Sequence, residues 1–233
     1  MAYDYLGLVN DVNRRLNEVE LTQSNFSSAI GFYAQIKDGV NASINKINQE
    51  QFEWPFNHVT QEDTLVPGTI RYSFQSGSKT VDMDSFRIKR DDTLGVSTKK
   101  LRIMTYEEFL SKYSDSEYNS NSLSTPTYVV RTPSLEYIVY PSPDKEYTVV
   151  YEYYSIPSQL VLATDVPSIP EQFRFTLVDG AMYHAYLFRG DLNSAELSYQ
   201  KYVDGIKDMR TLLVNRYEYA RSTVNVRGNT YAF

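Results

Sequence analysis

Residues 170–219 read PEQFRFTLVDGAMYHAYLFRGDLNSAELSYQKYVDGIKDMRTLLVNRYEY, and this stretch decides the fold. In each half, large or apolar residues recur at spacings of three and four, which is typical of an amphipathic helix. They are Phe173, Leu177, Ala181, His184, Ala185 and Phe188 in the first half, and Ala195, Tyr199, Tyr202, Ile206, Met209 and Leu213 in the second. Gly190 can end the first helix, and Asp191 or Asn193 can cap the second. The stretch therefore predicts a helical hairpin whose two apolar stripes must pack against the rest of the chain.

Two more amphipathic helices are predicted near the start of the chain. The first runs from about Tyr5 to Glu18, with Asp4 as its cap. The second runs from Phe26 to about Gln49 and has an apolar stripe of Phe26, Ile30, Tyr33, Ile36, Val40, Ile44 and Ile47. Trp54-Pro55-Phe56 ends it, because the residue before a proline is pushed out of helical geometry. Together with the hairpin, these helices predict one bundle built from both ends of the chain.

Between Val59 and Pro170 the pattern changes to short alternating runs separated by Gly, Pro, Asp and Ser, which is strand composition. The predicted strands are Thr69–Phe74, Val81–Lys89, Lys100–Met104, Tyr128–Arg131, Leu135–Tyr140 and Tyr147–Tyr154. Gln75–Ser78 is predicted as a hairpin turn between the first two. Thr105 begins a capping box that opens a short helix. The predicted fold class is α+β, with a mainly antiparallel β domain inserted into the helical bundle.

This prediction divides the chain into four parts. They are the N-terminal helices (1–56), the β-rich insertion (57–169), the helical hairpin (170–222) and an extended C-terminal arm (223–233). Val224 and Val226 alternate with polar residues in the arm, and Tyr231 and Phe233 have no obvious place in the bundle. Such an arm could add a strand to a neighbouring sheet or insert its aromatic rings into a partner. The alternative is a frayed terminus.

Composition limits the classes of function. A hydrophobic fraction of 42% is enough for a core, and a net charge of −6 argues against a protein that grips nucleic acid through its phosphates. The absence of cysteine excludes disulfides and thiolate metal sites. A leader peptide and a membrane-spanning run are both absent from the pattern, so we expect a soluble protein made inside a cell.

Candidate catalytic residues are few. His58 and His184 are the two histidines, and His184 falls on the buried face of the hairpin, where a packed residue is a better interpretation than a metal ligand. Gly77-Ser-Lys-Thr80 lacks the first glycine and the strand-to-helix context of a phosphate loop. We therefore predict no catalytic residue, no metal, no cofactor and no enzymatic activity. Carboxylates paired in space leave glycoside hydrolysis by the β domain open as an alternative.

Several short motifs together resemble a known family. They are Trp54-Pro55-Phe56-Asn57, the Tyr- and Val-rich strand Tyr147–Tyr154 running into Ile156-Pro157-Ser158-Gln159-Leu160, Asp165-Val166-Pro167-Ser168-Ile169-Pro170, Leu177-Val178-Asp179-Gly180-Ala181 and Arg189-Gly190-Asp191. In this order they resemble the head-to-tail adaptors of tailed bacteriophages, the tail tubular protein A proteins of short-tailed phages. The resemblance covers nearly the whole chain in the order of its elements.

The resemblance implies a structural virion protein at the head-tail junction, assembled in the host cytoplasm. It implies a ring of adaptor subunits, commonly twelve, under the portal protein, carrying a tail nozzle protein similar to tail tubular protein B. DNA would pass through the ring without specific binding, and no membrane would be involved. Family members join the portal largely through helical and C-terminal segments. The residues expected to bind the portal are Arg216, Arg221, Val224, Val226, Arg227, Tyr231 and Phe233.

The charge pattern allows a related prediction. Basic residues collect on the last helix and the arm, which would suit an acidic neighbour such as the portal. The alternative is that they complement the helix dipole and nearby acidic residues. Two other functions also stay open: a different tail connector or fibre-attachment protein, and a glycan-binding or hydrolytic module formed by residues 57–169.

Overall fold

The structure is a computed structural model that describes residues 2–51, 53–92, 95–117 and 123–214. Within these ranges it contains five α-helices and two four-stranded sheets, so the predicted α+β class is confirmed. The chain forms two compact units. One takes the residues up to Phe56 and from Pro157 onward, and the other is Asn57–Ile156. Residues 157–169 group with the helices, although their sequence adjoins the β-rich region.

The first unit is a four-helix bundle. Its helices are α1 (Tyr5–Arg15), α2 (Phe32–Glu50), α4 (Arg174–Arg189) and α5 (Leu192–Leu213). Helix α4 lies in the middle and packs against the other three. The N-terminal helices and the C-terminal hairpin thus form one bundle, as the sequence predicts. Trp54 is fully buried in this core, stacks on Phe56 at 5.4 Å and donates from Nε1 to the carbonyl of Ile47 at 2.9 Å.

The predicted helix ends of the hairpin are confirmed. Gly190 ends α4 in the left-handed conformation, with φ of 76°. The carboxylate of Asp191 accepts from the amide of Ser194 and caps α5, and Asp4 caps α1 by accepting from the amide of Gly7 at 2.7 Å. These local groups satisfy amides that have no partner inside the helix.

Helix α2 begins later than predicted. It starts at Phe32, not at Phe26, because Gly31 has a φ of 60° that a right-handed helix does not contain. Before it, residues 22–29 form turns, in which the amide of Phe26 donates to the carbonyl of Thr22 at 3.0 Å. Phe26 is buried all the same, whereas Ile30 is exposed. The apolar pattern of the sequence thus begins before the helix itself begins.

The second unit contains two sheets. The first has the order β1-β8-β3-β4 and is antiparallel throughout, with β1 His58–Leu65, β8 Tyr147–Ser155, β3 Ser78–Asp92 and β4 Gly95–Lys100. The second has the order β2-β7-β6-β5, with β2 Arg71–Ser73, β7 Glu136–Tyr140, β6 Tyr128–Arg131 and β5 Arg102–Met104, and only β5 and β6 are parallel. Helix α3, Tyr106–Tyr113, has the predicted Thr105 cap.

The hairpin predicted around Gln75–Ser78 is wrong. The turn exists, since the amide of Ser78 donates to the carbonyl of Gln75 at 3.1 Å. However, β2 pairs with β7 and β3 pairs with β8 and β4, so the two strands enter different sheets. Packing of aromatic side chains explains why β2 pairs with β7, because Tyr72 of β2 stacks on Tyr137 of β7 at 5.5 Å.

A cluster of aromatic rings joins the two sheets. Phe86 and Tyr151 of the first sheet stack at 4.7 Å, and Tyr137 of the second lies 5.2 Å from Phe86. Burial raises the pKa of Tyr137, whose hydroxyl donates to Asp63 at 3.1 Å, and it raises the pKa of Tyr151 to about 12. The sheets therefore pack face to face around neutral phenols.

Candidate functional site

The residues predicted to bind the portal lie outside the described part of the chain. Arg216, Arg221, Val224, Val226, Arg227, Tyr231 and Phe233 all follow Val214, the last residue that the structure describes. Their role stays a prediction.

The histidines offer no reactive cluster. His184 is half-buried on α4, with its ring 5.1 Å from that of Tyr183, and burial lowers the pKa of His184. His58 is exposed, and its Nε2 lies 3.3 Å from Oε2 of Glu152. Within the described ranges, no group of three or more His, Asp or Glu side chains is placed to hold a metal ion.

A groove of about 440 Å³ lies between α2, α4 and α5. It is lined by Ala42, Ser43, Asn45, Lys46, Gln49, Gly180, Tyr183, His184, Tyr199 and Tyr202. Lys46 at its edge pairs with Glu50 at 3.0 Å, and Glu50 also accepts from Arg210 at 2.8 Å. The charges at this edge are thus neutralised inside the subunit, and the groove presents chiefly phenol rings and amides.

A loop before α4 is held in a fixed shape. The side chain of Asn41 accepts from the amide of Leu160 and donates to its carbonyl, both at 3.0 Å. The carbonyls of Ala163 and Asp165 accept from the first amides of α1, and Tyr3 donates to the carbonyl of Ile169 at 2.6 Å. Because the loop provides the acceptors that the start of α1 needs, it is part of the rigid bundle.

This loop nevertheless presents apolar side chains to solvent. One carboxylate oxygen of Asp165 accepts from the amides of Val161 and Leu162, both at 2.7 Å. The side chains of Val161, Leu162 and Val166 are 70%, 64% and 63% exposed. We call these three residues the loop patch. Exposed aliphatic groups on a backbone that is already ordered can be buried in an interface at a small entropic cost.

A second apolar surface lies where α4 meets α5. Leu187, Phe188 and Leu192 are all exposed there, Leu192 by 69%, and we call them the corner patch. Arg189 lies over the ring of Phe32 at 4.3 Å and donates to Glu18, which fixes the corner to the rest of the bundle. The loop patch precedes α4 in the chain and the corner patch lies at its C-terminal end, and the 16-residue helix itself is about 24 Å long at 1.5 Å per residue.

Two tyrosines near the start of the chain lie close to carboxylates. Burial raises the pKa of Tyr5, and the nearby carboxylates of Asp38 and Asp165 raise it further. Burial likewise raises the pKa of Tyr3, with Glu171 as the second cause. Of these carboxylates, that of Asp165 belongs to the loop itself, where it accepts from the amides of Val161 and Leu162.

The described residues of the helical unit thus present two apolar patches on an ordered backbone. A sequence model of the SU10 adaptor protein family matches residues 3–227, so the chain belongs to the SU10 adaptor protein family. The predicted relationship to phage adaptor proteins is confirmed, and with it a virion component that contacts other capsid or tail proteins. No curated protein matches the chain. Among the described residues, no helix is long and apolar enough to cross a membrane.

Two features of the candidate surfaces are not predicted from the sequence. The loop patch falls inside the β-rich insertion (57–169) of the sequence prediction, and its one signal is that Asp165 and Pro167 interrupt a run of aliphatic residues. The side chain of Asn41 holds the backbone of Leu160, although the two residues are 119 positions apart in the chain. No local sequence pattern predicts that contact. By contrast, the placing of His184 in a packed, half-buried position agrees with its interpretation as a structural residue.

Proposed function

We propose that this chain is the subunit of a ring that joins the portal to the tail nozzle and lines the DNA exit channel. The observation that carries the proposal is the pair of apolar patches, one on the loop before α4 and one at the C-terminal end of α4, in a chain that belongs to an adaptor family. A connecting protein needs two separate surfaces of this kind, one for each neighbour. Both patches lie on fixed backbone, so neither must fold before it binds.

The ring is proposed to hold twelve copies, with DNA passing through it unbound. The net charge of −6 supports free passage, because like charges repel phosphates from a wall. The work of the subunit is then geometric, and the proposed function includes no enzymatic step. The arm, residues 223–233, with Arg216 and Arg221 before it, is proposed to bind an acidic surface of the portal.

The first experiment measures the native mass of the full chain, alone and with the portal protein of the same phage, followed by class averages of the complex. A monomer that becomes a twelvefold ring on the portal is the expected result. Absence of binding would contradict the proposal, and a stable trimer of the chain alone would favour a fibre-attachment protein. Binding of glycans by the chain would favour the carbohydrate module.

Variants then test the two patches separately. Leu162→Asp should abolish binding of one neighbouring protein, and Leu192→Asp should abolish binding of the other. An unpaired charge buried in an interface is costly. Leu135→Asp is the matched control, since Leu135 is 64% exposed but lies in the β unit. If both patch variants assemble as the control does, the patches are not docking surfaces.

The arm is tested by neutralising Arg216, Arg221 and Arg227 together with glutamine. We expect the triple variant to bind the portal more weakly and with a smaller dependence on salt. Lys112→Gln with Lys145→Gln is the control, because both lysines are exposed and lie in the β unit. Unchanged attachment of the triple variant would remove the arm from the proposal.

A further inference from the structure

The sheet β1-β8-β3-β4 has two edges that suit an added strand. Strand β1 pairs with β8 through eight consecutive residues without a register shift, and it contains no proline, glycine or lysine. Strand β4 pairs with β3 through six consecutive residues. Within the described chain, no further strand covers the outer side of either. Edge strands this regular offer unpaired backbone groups on alternate residues, which proteins usually protect.

The directions of the strands allow the two edges to join each other. Each neighbouring pair in this sheet is antiparallel, so β1 and β4 run in opposite directions. If β4 of a second copy lies beside β1 in the same orientation, the next pair is again antiparallel. The sheet can therefore continue from one copy to the next without any change in its pattern.

The charges of the two edges are complementary. In one row across the sheet, Glu62 of β1 stands opposite Val150, then Arg87, then Lys100 of β4. In the next row, Asp63 stands opposite Val149, then Ile88, then Lys99. Both rows thus run from an acid at one edge to a lysine at the other.

One register satisfies both rows at once. Since paired strands are antiparallel, placing Glu62 opposite Lys100 of the next copy also places Asp63 opposite that copy's Lys99. Opposite charges directly across a strand pair stabilise it, and like charges destabilise it. Two β1 edges would bring acids together and two β4 edges would bring lysines together, so the charges select contact between unlike edges.

The contacts that Glu62 and Lys100 already make leave both charges usable. The carboxylate of Asp63 also accepts from Nε2 of Gln61 at 2.9 Å and from the hydroxyl of Tyr137 at 3.1 Å. Lys89 donates to Glu62, and Nζ of Lys100 lies 3.1 Å from Oδ1 of Asp84. The side chains of Glu62 and Lys100 are 52% and 58% exposed. Exposed ion pairs are weak, and a carboxylate accepts from more than one donor. A second lysine can therefore join Glu62 without first breaking a strong interaction.

We propose that β1 of one copy pairs with β4 of the next, so that the β units of neighbouring copies form one continuous sheet. The contact is head to tail, which generates a ring or a helix, not a closed dimer. The inference rests on the proposed function, because it names the surface through which the ring subunits bind each other.

Cross-linking gives a direct test, because the chain has no cysteine of its own. Glu62→Cys and Lys100→Cys are introduced together into the full chain, which is oxidised with the portal present. Inside one copy the two positions are three strand spacings apart, about 14 Å, which is too far for a disulfide. A ladder of covalent oligomers on a non-reducing gel can therefore arise only between copies.

The matched control carries Glu146→Cys with Lys100→Cys, since Glu146 is an exposed loop residue with the same charge. We expect at least about tenfold more cross-linked chain from the edge pair than from the control, because pairing raises the effective concentration. Equal yields from the two would overturn the proposal. Near-UV circular dichroism of both reduced proteins checks that each is folded.

Charge reversal is the second test. Glu62→Lys and Lys100→Glu should each reduce the number of copies on the portal, and the two together should restore it. Glu146→Lys and Lys145→Glu make the same changes on an exposed loop and should have no effect. If the single charge reversals leave the ring intact, the proposed pairing of β1 with β4 is contradicted, and the proposed adaptor function is not affected. A ladder from a chain that does not bind the portal would contradict the adaptor function and support the pairing.

Discussion

Replacing Gly180 by alanine tests whether the helices of the bundle are as close as the structure has them. A Cβ atom at residue 180 would lie 2.4 Å from Oγ of Ser43, 2.9 Å from its Cβ and 2.9 Å from Cδ2 of Tyr202. Neither neighbour can move easily. The hydroxyl of Ser43 donates to the carbonyl of Gly39, and that of Tyr202 donates to the carbonyl of Ser43, both at 2.7 Å. Gly180 is therefore the point where α2, α4 and α5 meet.

The expected magnitude is a balance of two effects. Alanine in place of glycine inside a helix stabilises by about 1 kcal/mol. Overfilling a close-packed core destabilises by about 1–3 kcal/mol. We expect Gly180→Ala to lower the free energy of unfolding by about 1–2 kcal/mol, with the overpacking larger because three contacts fall below 3 Å. Urea unfolding followed by far-UV circular dichroism measures it.

A double variant identifies the cause. Ser43→Ala removes the nearest of the three contacting atoms, so Gly180→Ala should be less harmful in that background, by roughly 1 kcal/mol. Gly205→Ala offers an independent repeat, because its Cβ would lie 2.5 Å from Oγ1 of Thr176. A Gly180→Ala protein that is as stable as the parent, or more stable, would refute the reasoning for this contact.

Three further predictions concern the bundle. Asp165→Ala should lower the free energy of unfolding by about 1–2 kcal/mol, since two amides lose a charged acceptor, and it should weaken partner binding more than Thr164→Ala, measured by urea unfolding and native mass. Trp54→Phe should lower it by about 1–3 kcal/mol in the same assay, because the carbonyl of Ile47 near the end of α2 loses its donor. Burial lowers the pKa of His184 below its usual 6.5, so the unfolded chain binds the proton first and stability falls as the pH drops below about 6.5. His184→Gln should flatten that part of the stability profile, and an unchanged profile would assign the loss to another group.

Signals that lie within a few residues predicted the structure well. The cap at Asp191 and the left-handed Gly190 are properties of one turn, so the helical hairpin could be placed from the sequence. The Thr105 cap of α3 belongs to the same class. The bounds of strand β6 are also predicted correctly, because proline-containing segments flank its two consecutive valines on both sides.

Features that depend on distant residues were missed. The partner of β2 is decided by the stacking of Tyr72 on Tyr137, 65 positions away, and the glycine-containing turn before β3 carries no information about it. Strand β1, with the sequence HVTQEDTL, was not predicted, because seven of its eight residues are not fully buried and polar residues dominate it. Edge strands show this weak pattern since one side of their backbone has no neighbour.

The same difference between local and distant contacts decides which parts of the candidate surfaces could be predicted. The packed, half-buried position of His184 could be predicted from the spacing of the apolar residues along α4. The loop patch could not, because its shape depends on Asn41, Tyr3 and the start of α1, all far away in sequence. Exposure of an aliphatic residue is decided by the whole fold, and the sequence gives no local sign of it.

The pairing of β1 with β8 has a consequence for how the chain reaches its native state. The β unit begins at Asn57 and ends at Ile156, and His58 and Tyr154 are partners in adjacent strands, about 5 Å apart. Once this continuous segment folds, it closes the long loop between α2 and α4, which would otherwise cost about 4 kcal/mol of chain entropy for a hundred residues. The two halves of the bundle then meet as neighbours. We therefore expect the β unit to fold first and to nucleate the bundle.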